Sequence, residues 1–285
     1  MATSQTGATG DRMYSVELTT HLDQYPPPAR RCLVMDRTSK ARIGTSGYHY
    51  NHWRGVFYPE HLAKSQWLSY YAQQFDTVEI NNTFYHLPTA AAFDSWKKQA
   101  PAGFCYAVKF NRYGSHFMRL KEPCSTLGNF LPVAKRLKQT LGPILVQLPP
   151  RWSVNVQRLD EFLAAAPRRL RFAVEFRDER WLCPDVFKVL ERHHAALCIH
   201  DMLKSHPRLV TANWTYLRYH GDHYSGSYSE QHLASEAKWI NHQLAAGRDV
   251  FAYFNNDAQG YAVQNATNLK SKIRRRFLRV NRSSD

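Results

Sequence analysis

The sequence predicts an α/β protein: a single (β/α)8 TIM-type barrel with an irregular N-terminal extension. Short apolar segments recur eight times and mostly alternate with helical patterns, which requires a parallel sheet. Eight such units favour closure into a barrel. The chain has 285 residues, of which 44% are hydrophobic, and this is enough for one large core. A doubly wound open sheet is disfavoured because no G-x-G-x-x-G motif follows a strand.

The pattern divides the chain into three segments. Residues 1–40 begin rich in Thr and Ser, continue through a run of three prolines and keep no amphipathic period, so we expect a loosely ordered extension. Residues 41–276 form the barrel, and residues 277–285 form a basic C-terminal tail.

The predicted strands are short and apolar, and each ends in polar or turn-forming residues. In the second strand, Val78 and Ile80 alternate with Glu79 and Asn81, which indicates one apolar and one polar face. The fourth strand, PILVQL, stops at two prolines. The predicted strands are 41–45, the start of the segment 76–88, 104–110, 143–148, 170–176, 195–200, 214–220 and 250–255.

Helical spacing of apolar residues follows every strand except the sixth. Pro88 and Thr89 predict the start of a helix, since proline suits the first turn and threonine can cap it. Ser227 and Glu230 have the spacing of a capping box before the helix that follows the seventh strand. The segment 201–213 contains a proline and has no clear helical period, so we expect a loop there.

Polar side chains gather at the carboxyl ends of the strands, where (β/α)8 barrels place their active sites. Because strand side chains alternate, these polar residues share one face of each strand, and the opposite face is apolar. We therefore expect the polar faces to point into the mouth of the barrel. The residues concerned are Glu79, Asn81, Lys109, Gln147, Glu175, Arg177, Arg218, His220, Tyr253 and Asn255.

Four of these side chains are candidates for catalysis: Glu79, Lys109, Glu175 and His220. Either glutamate would be a general base if its pKa were raised, and Lys109 would pair with one of them or act as an amine nucleophile once desolvated. The alternative is a buried ion network without a reaction. We expect an open mouth, in which Glu175→Gln costs little stability.

An anionic substrate is expected in the same mouth. Asn255, Asn256 and Asp257 precede the last helix, where such barrels often bind phosphate on backbone N–H groups, although a helix cap explains these residues equally well. Aromatic residues near the rim would stack on a ring, and His116 could reach the mouth from its loop. The predicted substrate-binding residues are Asn81, Tyr85, Gln147, Arg177, Trp181, Arg218, Tyr253, Asn255, Asn256 and Asp257.

Several long segments resemble one known family, the YecE-like family, or domain of unknown function seventy-two. The resemblance runs in order from about Ile43 to about Leu269, implies a (β/α)8 barrel and implies no assigned reaction. The chain departs from the family pattern at Tyr48, where Trp is common, and at His200-Asp201-Met202, where Asp-Ser is common. The matching segments are IGTSGYHYNHWRG, TVEINNTFYHLP, FAVEFR with Trp181 after it, YLRYHG and YFNNDAQGYAVQNA.

No cofactor and no metal are predicted. A cluster of Glu79, Glu175, His200 and His220 would suit a divalent metal, but the lysine and arginines of the same mouth compete for its carboxylates. The five cysteines include no C-x-x-C pair, which predicts reduced thiols in a cytoplasmic protein. The absence of a run of eighteen apolar residues predicts no membrane span.

The formal net charge of +15 suits an anionic partner. Seven basic residues lie in the segment 270–282, which predicts either a nucleic-acid-binding arm or the solvated end of a C-terminal helix. We therefore expect an enzyme that performs acid/base chemistry on a small anionic substrate, either phosphorylated or nucleotide-like. A nucleic-acid-binding protein and a metal-dependent phosphoesterase-like barrel are the alternatives.

Overall fold

The structure, a computed structural model, describes residues 39–221 and 226–280, and the side chains of the last helix as far as residue 273. In this part of the chain, eight parallel strands form one sheet in the order β1-β8-β7-β6-β5-β4-β3-β2. The predicted (β/α)8 barrel is thus confirmed. The strands are β1 (Ala41–Thr45), β2 (Thr77–Ile80), β3 (Cys105–Lys109), β4 (Leu141–Gln147), β5 (Phe172–Glu175), β6 (Ala196–His200), β7 (Trp214–Tyr219) and β8 (Asp249–Phe254).

Helices follow the strands, and the connection from β6 to β7 is a loop across 201–213, as predicted. The β2–β3 connection holds two helices, of which the first is a single turn beside the barrel mouth. No helix in the described part of the chain is long and apolar enough to cross a membrane. The helices are α1 (Trp67–Gln74), α2 (Asn82–Tyr85), α3 (Ala90–Gln99), α4 (Pro123–Ala134), α5 (Val156–Ala165), α6 (Pro184–Arg192), α7 (Glu230–Ala245) and α8 (Tyr261–Val280).

The barrel closes where β1 meets β2. The backbone of Ser46 pairs with that of Glu79, and the N–H of Gly47 donates to the carbonyl of Glu79 at 2.8 Å. Gly44 permits this approach, because a Cβ at its position would lie 2.3 Å from the carbonyl oxygen of Thr77. The close contact brings Ser46 and Glu79 to the same point of the mouth.

Strand alternation separates two apolar layers. Side chains such as Val78, Val108 and Val174 face outward and join the helices in one large core. The inward layer is smaller and includes Ala107 and Tyr216. The predicted facing of the strands is therefore confirmed, and the charged residues of the mouth continue the inward layer toward the strand ends.

Two predicted helix starts have different outcomes. The helix α3 begins after Thr89, whose side chain accepts a hydrogen bond from the N–H of Ala92, as predicted. The capping box at Ser227 is wrong: Ser229 caps α7 by accepting from the N–H of His232, and Ser227 instead accepts from the amide of Asn265.

The two ends of the chain lie largely outside the described residues. This applies to the predicted extension except for Ser39 and Lys40, and to residues 281–285 of the predicted basic tail. The helix α8 continues through the preceding part of that tail as far as Val280. The order of the extension therefore stays a prediction.

Candidate functional site

A pocket of about 570 Å³ opens at the carboxyl ends of the strands. The strands β3, β4 and β7 and the loops after β1, β2, β3, β5 and β8 supply its walls. Four of the described lining side chains are basic and none of them is acidic, which makes the pocket positive. Its lining residues are Tyr50, Asn81, Phe84, Tyr85, Lys109, Arg112, His116, Phe117, Gln147, Arg177, Arg218 and Asn255.

Arg218, at the end of β7, binds two buried glutamates at once. Its Nη2 donates to Oε1 of Glu79 at 2.8 Å and to Oγ of Ser46 at 3.0 Å. Its Nη1 donates to Oε2 of Glu175 at 2.7 Å. The Arg218 side chain is 1% exposed and both carboxylates are 0% exposed, so the three charges depend on one another for solvation.

Glu79 has further partners on both of its oxygens. The hydroxyl of Tyr216 donates to Oε2 at 2.6 Å, and the hydroxyl of Ser46 donates to Oε1. Ser46 in turn accepts from Nδ2 of Asn81 at 2.6 Å. The side chain of Glu79 is therefore held by donors from β7 and from the residue after β1, beneath the pocket surface.

Glu175 has a second arginine partner in Arg177, whose Nε donates to Oε1. Burial alone would raise the pKa of Glu175, but the adjacent Arg218 and Arg177 hold that pKa well below its usual value. The prediction that Glu175 is a general base requires a raised pKa, and this prediction is therefore wrong for Glu175. The expectation of an open mouth around the two glutamates is also wrong, because both carboxylates are fully buried.

His220 connects the arginines to a third carboxylate. Its Nε2 lies 3.2 Å from Nη2 of Arg177 and 3.3 Å from Nη1 of Arg218, and its Nδ1 lies 3.1 Å from Oδ1 of Asp201. Because a guanidinium only donates, Nε2 must accept, and Nδ1 carries the proton and donates a hydrogen bond to Asp201. Burial lowers the pKa of His220 in spite of Asp201, so the ring is neutral near pH 7.

Lys109, at the end of β3, is the titratable cation of the pocket. Its Nζ donates to Oε1 of Gln147 at 2.7 Å and lies 4.3 Å from the centre of the Phe84 ring. The same Gln147 oxygen accepts from Nη2 of Arg177 at 3.3 Å. Burial and then the charge of Arg218 lower the pKa of Lys109 to about 8. Lys109 and Arg177 are thus held side by side by one amide.

His116 lies in a helical turn, Tyr113–Phe117, and lines the pocket. The hydroxyl of Ser115 donates to the carbonyl of Asn111 at 3.0 Å and lies 3.0 Å from Nδ1 of His116. Nδ1 therefore carries the proton, and the acceptor lone pair is on Nε2. Burial, followed by the charges of Lys109 and Arg177, lowers the pKa of His116 to about 4.

The structure brings half of the predicted site residues to the pocket and places most of the others beneath or beside it. Glu79, Glu175 and His220 lie below its surface and bind its arginines. Tyr253 is fully buried in the barrel, with its hydroxyl 2.7 Å from Oγ1 of Thr77. The predicted residues that line the pocket are Asn81, Tyr85, Lys109, Gln147, Arg177, Arg218 and Asn255.

Three predicted substrate-binding residues have other surroundings. Trp181 is 1% exposed in the outer core, where its Nε1 donates to the carbonyl of Trp152. The amide of Asn256 is buried and donates to Gly226 and Asn265, because this part of the chain packs against α8. Asp257 joins the loops after β1 and β8.

The contact at Asp257 is specific. Its carbonyl accepts from Nε1 of Trp53 at 3.0 Å, and its Oδ2 lies 3.3 Å from Nε2 of His52. The four described basic residues that line the pocket come from β3, from β7 and from the loops after β3 and β5. The loop after β8 supplies none of them.

Several residues of the site were not selected from the sequence. Ser46 enters the network through barrel closure, which no local pattern reveals. Arg112 and Phe117 lie in the long excursion after β3, where the sequence has no period. Tyr216 shares the inward face of Arg218, so strand alternation was a usable signal for it.

The residues 39–221 and 226–280 contain no group of three or more His, Cys, Asp or Glu side chains arranged to hold a metal ion. The carboxylates of the suggested cluster are bound by Arg218 and Arg177, and Nε2 of His200 lies 2.8 Å from the carbonyl of Phe176. The absence of a metal therefore stays a prediction.

The whole barrel has known relatives. A family model described as "Protein of unknown function DUF72" matches residues 42–284. The UPF0759 protein YunF of Bacillus subtilis (strain 168) is 24% identical over 249 residues, which cover 74% of this chain and 88% of YunF. A crystal structure of a DUF72 family protein from Thermotoga maritima MSB8 is 27% identical, with a TM-score of 0.76 over 82% of this chain and 99% of that one.

A second solved structure supports the fold. A DUF72 family protein from Enterococcus faecalis V583 is 19% identical, with a TM-score of 0.71, and the match covers 82% of this chain and 95% of that one. These comparisons confirm the resemblance seen in the strand-end segments. The chain belongs to the DUF72 family of proteins of unknown function.

Proposed function

We propose that the barrel mouth is the active site of an enzyme that binds a small anionic, phosphate-bearing substrate on Lys109 and Arg177. One observation carries this proposal: the described walls of the pocket hold four basic side chains and no acid, while the nearby glutamates are buried under arginines. Guanidinium and ammonium groups at a partly desolvated surface are the usual ligands of phosphate and carboxylate groups.

The charge balance supports an anion. Arg177 and Arg218 are matched by Glu79 and Glu175, and Asp201 lies behind His220, so the four basic side chains, with Lys109 protonated, exceed these three carboxylates by one positive charge. Each buried carboxylate also fixes the direction of its arginine. A fixed donor loses little conformational entropy when a ligand binds, and this increases affinity.

Lys109 is the proposed proton-transfer group. A pKa of about 8 lets an amine give and recover a proton near neutral pH, which is the property of an efficient general acid or base. The Nε2 lone pair of His116 offers a second acceptor in the same pocket. In this proposal Glu79, Glu175 and His220 position the arginines and do not themselves react.

The binding half of the proposal is tested by calorimetry with inorganic phosphate and pyrophosphate at low salt. Arg177→Met and Lys109→Met each remove a charged donor, so affinity should fall roughly tenfold to a hundredfold. Arg180→Met is the matched control, because Arg180 lies three residues from Arg177, is exposed and pairs with Asp178.

The control variant should change the affinity less than about twofold. An equal loss of affinity in Arg180→Met would show that the anion responds to the overall positive charge of the surface, and it would contradict a specific site. Failure of the wild-type chain to bind either anion would overturn the proposal.

The catalytic half is tested by incubating the protein with a mixture of phosphorylated metabolites and following their depletion by mass spectrometry. Lys109→Arg keeps the charge but cannot titrate near pH 8. It should bind phosphate and lose turnover. Turnover that survives in Lys109→Arg would contradict the role of Lys109. If the wild-type protein also shows no turnover, the enzymatic half of the proposal is overturned and only anion binding stands.

No observation favours the two alternatives. In the basic segment of α8, Nζ of Lys270 donates to the carbonyl of Gln74 and Lys272 pairs with Glu230. These two lysines therefore make contacts within the barrel itself. The carboxylates that a metal would need are held by arginines.

A further inference from the structure

Tyr85, Phe117 and Arg112 lie at the edge of the pocket. We call these two aromatic rings and the guanidinium between them the aromatic rim. Tyr85 is 59% exposed and Phe117 is 69% exposed. The guanidinium carbon of Arg112 lies 6.0 Å from the centre of the Tyr85 ring and 5.6 Å from that of Phe117. All three side chains line the pocket that Lys109 and Arg177 also line.

Both aromatic rings are thus largely exposed beside a polar pocket. Exposed apolar surface costs free energy in water, and contiguous patches of it mark binding sites more often than chance. The two rings and the guanidinium plane offer flat faces, on which a planar ring can stack without a directional hydrogen bond.

The rim is joined to the anion site by further aromatic contacts. Phe84 touches Tyr85 and His116 edge to face, at centroid distances of 5.1 Å and 4.9 Å, and Nζ of Lys109 lies over the Phe84 ring. A continuous wall therefore leads from the exposed rings to the cation that we assign to phosphate. The pocket volume of about 570 Å³ is in the range of sites for one small molecule.

We propose that the substrate is a mononucleotide, with its phosphate on Lys109 and Arg177 and its base stacked on the aromatic rim. This inference rests on the proposed function, because it uses the same anion site. The negative phosphate would pair with the positive charges of Lys109 and Arg177, and the flat face of the base would stack on the aromatic rim. A single-stranded polynucleotide is the competing ligand that the test must separate.

Calorimetry compares four probes: inorganic phosphate, ribose 5-phosphate, nucleoside 5′-monophosphates with purine and pyrimidine bases, and a short single-stranded oligonucleotide. A stacked base should make the monophosphates bind roughly fivefold to a hundredfold more tightly than ribose 5-phosphate. Purines should bind more tightly than pyrimidines, because they cover more of the rings.

Variants of the rim assign the gain. Tyr85→Ala and Phe117→Ala should each reduce the advantage of the monophosphate over ribose 5-phosphate and leave the affinity for inorganic phosphate unchanged. Tyr85→Phe should keep the advantage, since the ring is retained. Tyr113→Ala is the matched control: Tyr113 is 54% exposed in the same loop, and it is not among the described lining residues.

Equal affinities for ribose 5-phosphate and the monophosphates would overturn the inference while the anion site stands. An advantage that survives in both alanine variants would overturn the role of the rim. An oligonucleotide that binds at least about tenfold more tightly than any monophosphate would replace the mononucleotide with a polynucleotide. Absence of phosphate binding would overturn the proposed function itself.

Discussion

Two groups of the same three residue types lie on opposite sides of β7. The inner group is Glu79, Arg218 and Tyr216, inside the barrel. The outer group is Glu236, Arg208 and Tyr219, between the barrel and α7. In each, an arginine and a tyrosine hydroxyl donate to a buried glutamate, and the tyrosine distances are 2.6 Å and 2.7 Å.

The surroundings make the two groups different. Arg218 is 1% exposed, binds a second carboxylate and borders the pocket of the mouth. Arg208 is 43% exposed, lies 5.3 Å from the ring centre of Trp239 and ties the 201–213 loop to α7. A cavity of about 250 Å³ that leaves room for water borders all three residues of the outer group, and Arg218 of the inner group also lines it. Identical chemistry thus serves a candidate binding site on one face and a structural tie on the other.

The largest expected difference is in stability. Arg218→Met leaves Glu79 and Glu175 buried without their shared cation, and we expect a loss of about 3–5 kcal/mol in the free energy of unfolding. Arg208→Met should cost about 1–3 kcal/mol at most, because Glu236 keeps Tyr219 and the adjacent cavity admits water. Urea unfolding followed by circular dichroism measures both, and a larger loss for Arg208→Met would contradict this ranking.

A smaller difference should separate the two tyrosines. Tyr216→Phe and Tyr219→Phe each remove one hydrogen bond to a buried carboxylate, with an expected loss of about 1–3 kcal/mol. The loss should be greater for Tyr216, since Glu79 is fully buried whereas Glu236 lines the outer cavity. Only Tyr216→Phe should also weaken phosphate binding. If Tyr219→Phe weakens it equally, the two groups are not functionally distinct.

The smallest effect concerns pH, because the pKa of Lys109, on the inner side, is lowered to about 8. As pH rises through about 8, Lys109 loses its proton and the pocket loses one positive charge, so anion affinity should fall. Sulfate is the probe, since its own charge is constant in this range. Calorimetry should show roughly tenfold weaker sulfate binding at about pH 9.5 than at about pH 7.

Lys109→Met serves as the control for this titration. It should bind sulfate weakly at both pH values and show no fall between them, because Arg177 and Arg218 keep their charge. A fall of the same size in this variant would assign the titration to another group.

Local patterns in the sequence were enough to predict the order of the strands along the chain and the side chains that face inward. Strand alternation is a local property of the backbone, so Glu79, Glu175 and Arg218 were assigned correctly to one face. Helix patterns and Thr89 were equally local. The YecE-like segments then indicated the family that the comparisons confirm.

The folded barrel sets how deep each inward side chain lies and which charges meet. Alternation does not give depth along the barrel axis, so it did not distinguish Lys109 in the pocket from Glu175 beneath it. Ser46 and Glu79 are 33 residues apart in sequence, and their contact depends on the closure of β1 against β2. The charge of the pocket follows from these long-range contacts, because burial and neighbouring ions determine which groups remain exposed and which titrate.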